Sequence, residues 1–387
     1  MKTTQVATLF CCLFLIGSAE VVAGPMMGAM SADLGVRSSA IAYLPAAYGL
    51  AYGAFALIAG PLSDRWGRRR PLQAGLLGFA LLSAALPSAP SLAVAIVLSA
   101  LAGLCAGLIQ PNALSLVADE SPPEQIGRRL SHVFVGLMLD FVLTPVVAGW
   151  LTDTAGWRSA YYTLAAMAAL AFLAVTRAFV QRVPAAASHA GFFATHAQAL
   201  RTPGVRRRLA VSYLWLGWVA GFGAVVAEVA ARKLVLSSTD TGLIAGLFGL
   251  AVIAGNLASG RLQRALGEAA LPLAALAAAA GLLGLALPVG STTQLVLLGL
   301  PWAFGYGCAG PLHHARLSAL SERYRGTINS YPASLLNLGI FSVSFLLGSV
   351  VPRFPVEVFC ALAGGVTLVG ACLLLPWPWR KAGVATT

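Results

Sequence analysis

Three carboxyl side chains lie inside long apolar stretches of the sequence. They are Glu20, Asp140 and Glu228, whereas the other acidic residues lie in polar loops or near the edges of apolar stretches. A charge is costly away from water, so an acid in such a position is a candidate for function. The chemistry that suits it is reversible binding of a proton or attraction of a cationic ligand. We expect Glu20 and Asp140 to couple proton movement, and Glu20 and Glu228 to contact a substrate.

Each of these carboxyls also has a structural alternative. Asp140 would then be a neutral, hydrogen-bonded group that holds two helices together, and Glu20 would bond to a neighbouring helix. Glu228 lies four residues before Arg232, which is the spacing of an ion pair along one helix face. The residues alone leave both interpretations open for all three acids.

Amide and aromatic side chains form a second group of candidates, for binding a small molecule. Amides hydrogen-bond within apolar surroundings, and aromatic rings stack on apolar or aromatic ligands. Together with Glu20 and Glu228, the substrate-binding candidates are Gln110, Asn112, Trp218, Phe222, Trp302 and Tyr306. Packing between helices is the alternative for each of the aromatic residues.

The sequence shows no spacing typical of metal ligands. Its six cysteines all lie in apolar stretches and form no C-x-x-C pair, and His313 and His314 have no third ligand nearby in sequence. We expect no metal and no cofactor. Histidine titrates near neutral pH, so one of the two histidines is a candidate proton relay, with an ordinary polar contact as the alternative.

These side chains must be positioned by a very apolar chain. It is 58% hydrophobic and 10% charged, with a mean hydropathy of +0.82, whereas roughly a quarter of the residues of soluble proteins are charged. A membrane-spanning helix needs about 20 mainly apolar residues. Twelve segments qualify: 6–30, 39–62, 72–88, 92–117, 132–152, 158–179, 209–231, 240–260, 270–288, 292–315, 328–350 and 356–376. We predict an all-α membrane protein with twelve transmembrane helices, the first being too long for a cleaved signal peptide.

The basic residues are distributed unequally between the two sides of these segments. With the N-terminus placed in the cytoplasm, 20 of the 25 Lys and Arg residues lie on the cytoplasmic side and 5 on the other side. Such an excess is the positive-inside pattern, so we expect both termini in the cytoplasm. The pattern also accounts for the net charge of +12 without nucleic acid as a partner.

A repeat with an offset of 200 residues divides the chain into two halves. Residues 34–67 and 234–267 align without a gap and share ten positions, among them Gly49 with Gly249 and Gly67 with Gly267. The same offset aligns Pro111 with Pro311. Parallel repeats of this kind are a transporter design with the binding site between the halves. The predicted domains are 1–180, a cytoplasmic linker 181–208, and 209–387.

The stretch GPLSDRWGRRRPL, residues 60–72, carries the most specific pattern. It matches the motif G-x-x-x-D-R-x-G-R-R/K between the second and third helices of the major facilitator superfamily, which the chain resembles along its whole length. The resemblance implies two six-helix bundles related by a pseudo-twofold axis, with helices 1, 4, 7 and 10 around a central cavity. It also implies that the loop latches the halves together when the protein faces outward. The residues that carry this motif are Gly60, Asp64, Arg65, Gly67, Arg68 and Arg69.

The opening span is similar to that of bacterial drug and small-metabolite exporters of the superfamily. The expected function is therefore proton-coupled efflux of small organic molecules by a monomer in the lipid bilayer. Two departures keep a proton-coupled importer or a uniporter open. Ser99 stands where many proton-coupled members have Arg, and Asp140 replaces the first glycine of the exporter motif in helix 5. An ATP-driven pump lacks support because no phosphate-binding G-x-x-x-x-G-K-[ST] loop is present, and neither an enzyme nor a receptor is indicated.

Overall fold

The computed structural model shows an all-helical protein. It describes residues 1–181, 192–321 and 325–375, with the side chains of 59–66, 123, 192–195, 325–327, 329 and 330 outside the description. Within these ranges there is no β-strand. The first half contains α1 (Thr3–Val21), α2 (Met27–Leu34), α3 (Ser38–Ile41), α4 (Tyr43–Trp66), α5 (Arg69–Ala85), α6 (Leu92–Asp119), α7 (Pro123–Ala155) and α8 (Trp157–Ala178). The remaining helices are α9 (Phe192–Arg201), α10 (Val205–Val211), α11 (Trp218–Lys233), α12 (Ser238–Leu266), α13 (Ala270–Gly284), α14 (Thr292–Ser318), α15 (Arg325–Val350) and α16 (Val356–Cys372).

The described helices are long and apolar enough to account for the predicted spans. Ten stretches meet the length and hydropathy of a membrane span, and one of them, Ser238–Gly284, contains both α12 and α13. The shorter apolar helix α16 follows them. Counting α12 and α13 separately and adding α16 is consistent with twelve spans. The predicted fold class, two bundles of membrane helices, is confirmed.

Corresponding turns show the sequence repeat in three dimensions. Gly67 and Gly267 follow α4 and α12, and both have a positive φ, 75° and 54°, which a residue with a side chain rarely adopts. Ser91 and Ser291 cap the N-termini of α6 and α14, where each side chain accepts a hydrogen bond from the backbone N–H of the third residue of the helix. The repeat therefore extends to the chain's conformation at equivalent helix ends.

Glycine lets neighbouring helices approach closely within each half. A methyl group on Gly103 of α6 would overlap the carbonyl oxygen of Tyr48 on α4. In the second half, a methyl group on Gly307 of α14 would overlap the carbonyl oxygen of Val252 on α12. Membrane helices associate through such small-residue contacts because lipid provides no hydrophobic driving force between them.

Two pairs of helices join the halves. Helix α7 packs along α12 and helix α4 packs along α15. A methyl group on Gly249 would overlap the carbonyl oxygen of Phe141, and one on Gly49 would lie 2.8 Å from the carbonyl oxygen of Asn337. We call the end of the bundle that carries Thr3 and Cys372 the terminal end, and the other end the opposite end. The glycine contacts between the halves lie near the middle of the spans and continue toward the opposite end.

The helix α9 attaches the connecting segment to the second half. Ala199 of α9 packs in a small apolar cluster with Val205, Leu317 and Ile328. His196 lies 2.6 Å from the hydroxyl of Tyr331, and burial lowers the pKa of this imidazole below its usual value. Residues 182–191 of the predicted linker 181–208 lie outside the described residues, and the domain boundaries remain a prediction.

Two glycines on one helix test the role of close packing. We expect Gly307→Ala to lower the free energy of unfolding by about 1–3 kcal/mol, because its methyl group overlaps α12. Gly310→Ala has no atom within 4 Å of the new methyl group, and should be neutral or stabilising by up to about 1 kcal/mol from helix propensity. Thermal unfolding midpoints in detergent measure both, and equal midpoints would contradict the packing argument.

Candidate functional site

The side chain of Asp140 is inserted between two helices of the first half. It is fully buried, and its Oδ1 accepts a hydrogen bond of 2.6 Å from the backbone N–H of Phe141. Its Oδ2 is buried without a hydrogen-bond partner. A methyl group on Gly17 of α1 would overlap this oxygen. Gly17 therefore makes the room into which α7 inserts a carboxyl group.

A hydroxyl pair holds the same two helices together one turn further along. Ser18 Oγ lies 2.7 Å from Thr144 Oγ1. Since the Ser18 hydroxyl donates to the carbonyl oxygen of Phe14 at 2.7 Å, Thr144 is the donor in this pair. The contact fixes the register of α1 against α7 and hence the position of Gly17 beside Asp140.

Glu20 lies on the same face of α1 as Gly17, because residues three apart are neighbours on a helix. Its side chain is 6% exposed, and no described residue hydrogen-bonds its carboxyl group. Its charge is close enough to interact with Asp140 and with the hydroxyls of Tyr48, Tyr52 and Tyr306. The structure thus brings the two predicted proton-coupling residues together within a group of tyrosines.

Of the two amides predicted in α6, only Gln110 joins this group. The Tyr52 hydroxyl donates to Gln110 Oε1, and Tyr48 donates to the carbonyl oxygen of Ile16 at 2.9 Å. Asn112 lies on a different face of α6, where its Nδ2 donates to the carbonyl oxygen of Leu108 at 2.8 Å. Its Oδ1 is buried without a partner.

Glu20 and Asp140 are called the acidic pair below. A small aromatic cavity lies between the halves beside this pair. It measures about 10 Å³, and α7 contributes Phe141 and Pro145 to it. The second half contributes the rest of its lining, including Phe248, Trp302 and Tyr306. The rings of Phe141 and Tyr306 meet edge to face across the interface, with centroids 6.4 Å apart.

The remaining aromatic candidates differ in their surroundings. Phe222 is fully buried in the second half, stacked on Phe359 with centroids 5.8 Å apart, so its contacts are those of a core residue. Trp302 lines the cavity, while its N–H donates to the carbonyl oxygen of Val219 at 3.1 Å. The indole N–H of Trp218 is buried without a hydrogen-bond partner. Trp218 is therefore a donor without an acceptor in this conformation.

Glu228 lies away from the other acids, in a polar contact between the halves at the opposite end. Its Oε1 accepts from Arg232 Nε and from Ser38 Oγ, both at 2.7 Å. Arg232 also donates to Ser38 Oγ at 2.7 Å. Nearby, Asp153 Oδ2 accepts from the N–H and the hydroxyl of Thr239, each at 2.7 Å, and so caps the first turn of α12. These contacts join the two halves at the opposite end of the bundle.

At the terminal end, the described part of the motif loop contacts its own half. Arg68 Nε lies 3.3 Å from Asp119 Oδ2 at the end of α6. Arg69 donates to the carbonyl oxygen of Thr176 on α8 at 2.7 Å. Gly67 adopts the positive φ that ends α4. Gly60, Asp64 and Arg65 lie outside the residues whose side chains are described, and the latch remains a prediction.

The two histidines of α14 have different environments. His313 is fully buried with Nε2 2.8 Å from Ser212 Oγ. The Ser212 hydroxyl donates to the carbonyl oxygen of Arg208, so a neutral His313 donates from Nε2 and its unpartnered Nδ1 is a bare acceptor. Ser212 begins a π-helical turn, Ser212–Gly217, that joins α10 to α11. In the described ranges, no three His, Cys, Asp or Glu side chains group as metal ligands.

Several residues of the site could not be recognised from the sequence. Gly17, Thr144 and Phe141 lie within apolar runs, and their roles depend on which helix faces which. The one available signal was Asp140 itself, since a buried carboxyl requires a neighbour with space for it.

Known proteins resemble the chain in sequence and in structure. Residues 9–343 match the family model described as Major Facilitator Superfamily. Multidrug resistance protein D of Escherichia coli (strain K12) is 26% identical over 362 residues, which are 93% of this chain and 91% of that protein. The tetracenomycin C resistance and export protein of Streptomyces glaucescens is 30% identical over 162 residues, 40% of this chain and 30% of that protein. The crystal structure of a D-xylose-proton symporter superimposes with a TM-score of 0.79 at 16% identity, covering 96% of each chain.

The buried contact at the opposite end should contribute more to stability than an exposed ion pair. Arg232→Gln leaves the buried Glu228 carboxylate without its charged donor, which should cost about 1.5–3 kcal/mol. The control is Glu268→Gln, which removes an ion pair with Arg316 in which the Glu268 side chain is 91% exposed, so its loss should cost about 1 kcal/mol or less. Thermal unfolding in detergent measures both, and a cost at Glu268 equal to that at Arg232 would refute the assignment.

Proposed function

The chain belongs to the major facilitator superfamily, and we propose that this transporter exports small organic molecules in exchange for protons. Members of the family are membrane transporters rather than enzymes. In the proposed cycle the two halves rock about a central site, so that the site opens to one side of the membrane at a time. Proton binding at Glu20 and Asp140 would favour one state over the other.

The observation that carries this proposal is the Asp140 carboxyl group. It is buried against Gly17 with one oxygen unpartnered, Glu20 lies on the same face of α1 as Gly17, and the next residue in sequence lines the cavity between the halves. Net charge in the apolar interior of a bilayer is costly. A proton, or a cationic ligand, would relieve that cost, which links proton binding to substrate binding.

Sequence relatives support export as the direction. The E. coli relative is named a multidrug resistance protein, and the Streptomyces relative a resistance and export protein. The acidic pair and the aromatic cavity favour neutral or cationic organic compounds with apolar rings. Of the predicted substrate contacts, the arrangement favours Glu20, Gln110, Trp218, Trp302 and Tyr306. Asn112, Phe222 and Glu228 have contacts suited to helix packing or to joining the halves.

A proton-coupled importer or a uniporter is the second candidate. Ser99 stands where many proton-coupled members carry Arg, and its hydroxyl donates to the carbonyl oxygen of Leu44 at 2.8 Å, a contact of helix packing. Asp140 changes the exporter motif of helix 5. Both departures concern coupling and direction and leave the fold unaffected.

We further propose that the terminal end faces the cytoplasm, in the inner membrane of a bacterium, and that the protein acts as a monomer. The positive-inside distribution of 20 against 5 basic residues supports this orientation. With this orientation, the contacts of Glu228 and Asp153 would join the two halves on the outer side of the membrane.

Transport in liposomes with an imposed pH gradient tests proton coupling. The wild-type protein should move an organic cation and protons in opposite directions. Glu20→Gln and Asp140→Asn should each lower the gradient-driven rate about tenfold or more, because the exchangeable proton is lost. Glu268→Gln, at a 91% exposed side chain in the 3₁₀ turn before α13, is the control and should transport normally.

The other outcomes of this assay distinguish the alternatives. Parallel fluxes of substrate and protons would establish import by symport, and substrate movement indifferent to the gradient would establish uniport. If both carboxyl variants keep wild-type coupling, the assignment of Glu20 and Asp140 is wrong.

Labelling in intact cells tests the orientation. Val235 lies in the loop between α11 and α12 and is fully exposed, so Val235→Cys should react with a membrane-impermeant maleimide added outside. Arg201→Cys, at an exposed residue of α9, should react only after the membrane is opened. The reverse pattern would place the termini outside.

A further inference from the structure

The ring of Phe141 occupies the junction between the acidic pair and the second half. Its own backbone N–H donates to Asp140 Oδ1 at 2.6 Å. Its side chain lines the cavity between the halves and meets the ring of Tyr306 edge to face. Phe141 is thus in direct contact with a proposed proton site on one side and a proposed substrate site on the other.

Two glycines of the second half make room for this residue. A methyl group on Gly223 of α11 would lie 2.9 Å from Cε1 of Phe141, and one on Gly249 of α12 would overlap the carbonyl oxygen of Phe141. The ring therefore lies against bare backbone on α11, in a slot that also presents the ring of Tyr306. A slot with a flat glycine wall and an aromatic edge suits any planar aromatic ring.

The cavity that remains beside Phe141 is too small for a substrate. It measures about 10 Å³, whereas pockets that bind small organic molecules enclose roughly 300–1,000 Å³. A ligand can therefore enter only if a side chain leaves. Phe141 is the aromatic ring in this lining that comes from the first half, so it is the aromatic ring that a separation of the halves would withdraw.

We propose that Phe141 is a plug, which fills an aromatic subsite in the second half that receives a planar aromatic ring of the transported compound. The subsite consists of Gly223, Gly249, Phe248, Trp302 and Tyr306. The proposal rests on the proposed transport function and names the chemical class of its substrate.

A plug and a wall of the binding site predict opposite effects of removing the ring. If Phe141 competes with the ligand, the empty subsite is available only in a fraction of molecules, and the apparent Kd equals the intrinsic Kd divided by that fraction. Phe141→Ala should then bind the planar aromatic cation ethidium more tightly, by about tenfold. If Phe141 is a wall that contacts the ligand, the same substitution should weaken binding.

The experiment measures ethidium fluorescence on purified protein in detergent at equilibrium. Phe134→Ala is the matched control, since Phe134 is on the same helix and 39% exposed, and it should bind like the wild type. Tetramethylammonium, a cation without a ring, should show no gain with Phe141→Ala. Phe141→Leu removes the ring with a smaller loss of volume and should show a gain in the same direction, which keeps the test available if the alanine variant does not fold.

Tighter ethidium binding by the Phe141 variants supports the plug, including the case in which the wild type binds too weakly to detect. Weaker or unchanged binding overturns it, as does absence of binding by every variant. Because no gradient is applied, failure of proton-driven export in liposomes leaves this result unaffected. The two proposals can therefore fail separately.

Discussion

The site depends on one contact, between the carboxyl group of Asp140 and the backbone of α1 at Gly17. A carboxyl group in an apolar interior requires a partner for each oxygen, and here Oδ1 has one while Oδ2 has none. The absence of a side chain at Gly17 and the bond from Thr144 to Ser18 make this position sterically possible. An unsatisfied acceptor held this firmly is suited to a proton or a ligand that comes and goes.

Like the contact of Asp140 with Gly17, the described contacts between the halves combine small residues with few polar bonds. Gly49 and Gly249, which the repeat aligns, both bring a helix of one half against backbone of the other. At the opposite end, Glu228 and Asp153 add charged hydrogen bonds whose partners, Ser38 and Thr239, belong to the other half. Among the described residues this interface is close and mostly apolar, and the few polar bonds at the opposite end can separate without exposing many unsatisfied groups.

Much of the architecture could be predicted because local sequence determines it. Apolar length placed the spans, yet α7 begins at Pro123 rather than at residue 132, since helix formation continues through polar residues beyond the bilayer. The pair of Glu228 with Arg232 follows from their spacing on one helix. The pairing of Asp140 with Gly17 has no such local signal, and apolar helices of low amphipathicity do not reveal which face meets which neighbour.

The sequence by itself determined the all-helical membrane fold, the duplication and the family, and it predicted the orientation of the spans and the few carboxyls proposed for proton transfer. These features depend on hydropathy, charge and motif spacing, all of which are local. Only the tertiary structure decided that Glu20 and Asp140 share one site, that Phe222 belongs to the core and that Phe141 lies in the cavity. Those outcomes depend on how the helices rotate about their axes, and that rotation is set by close packing between residues far apart in the chain.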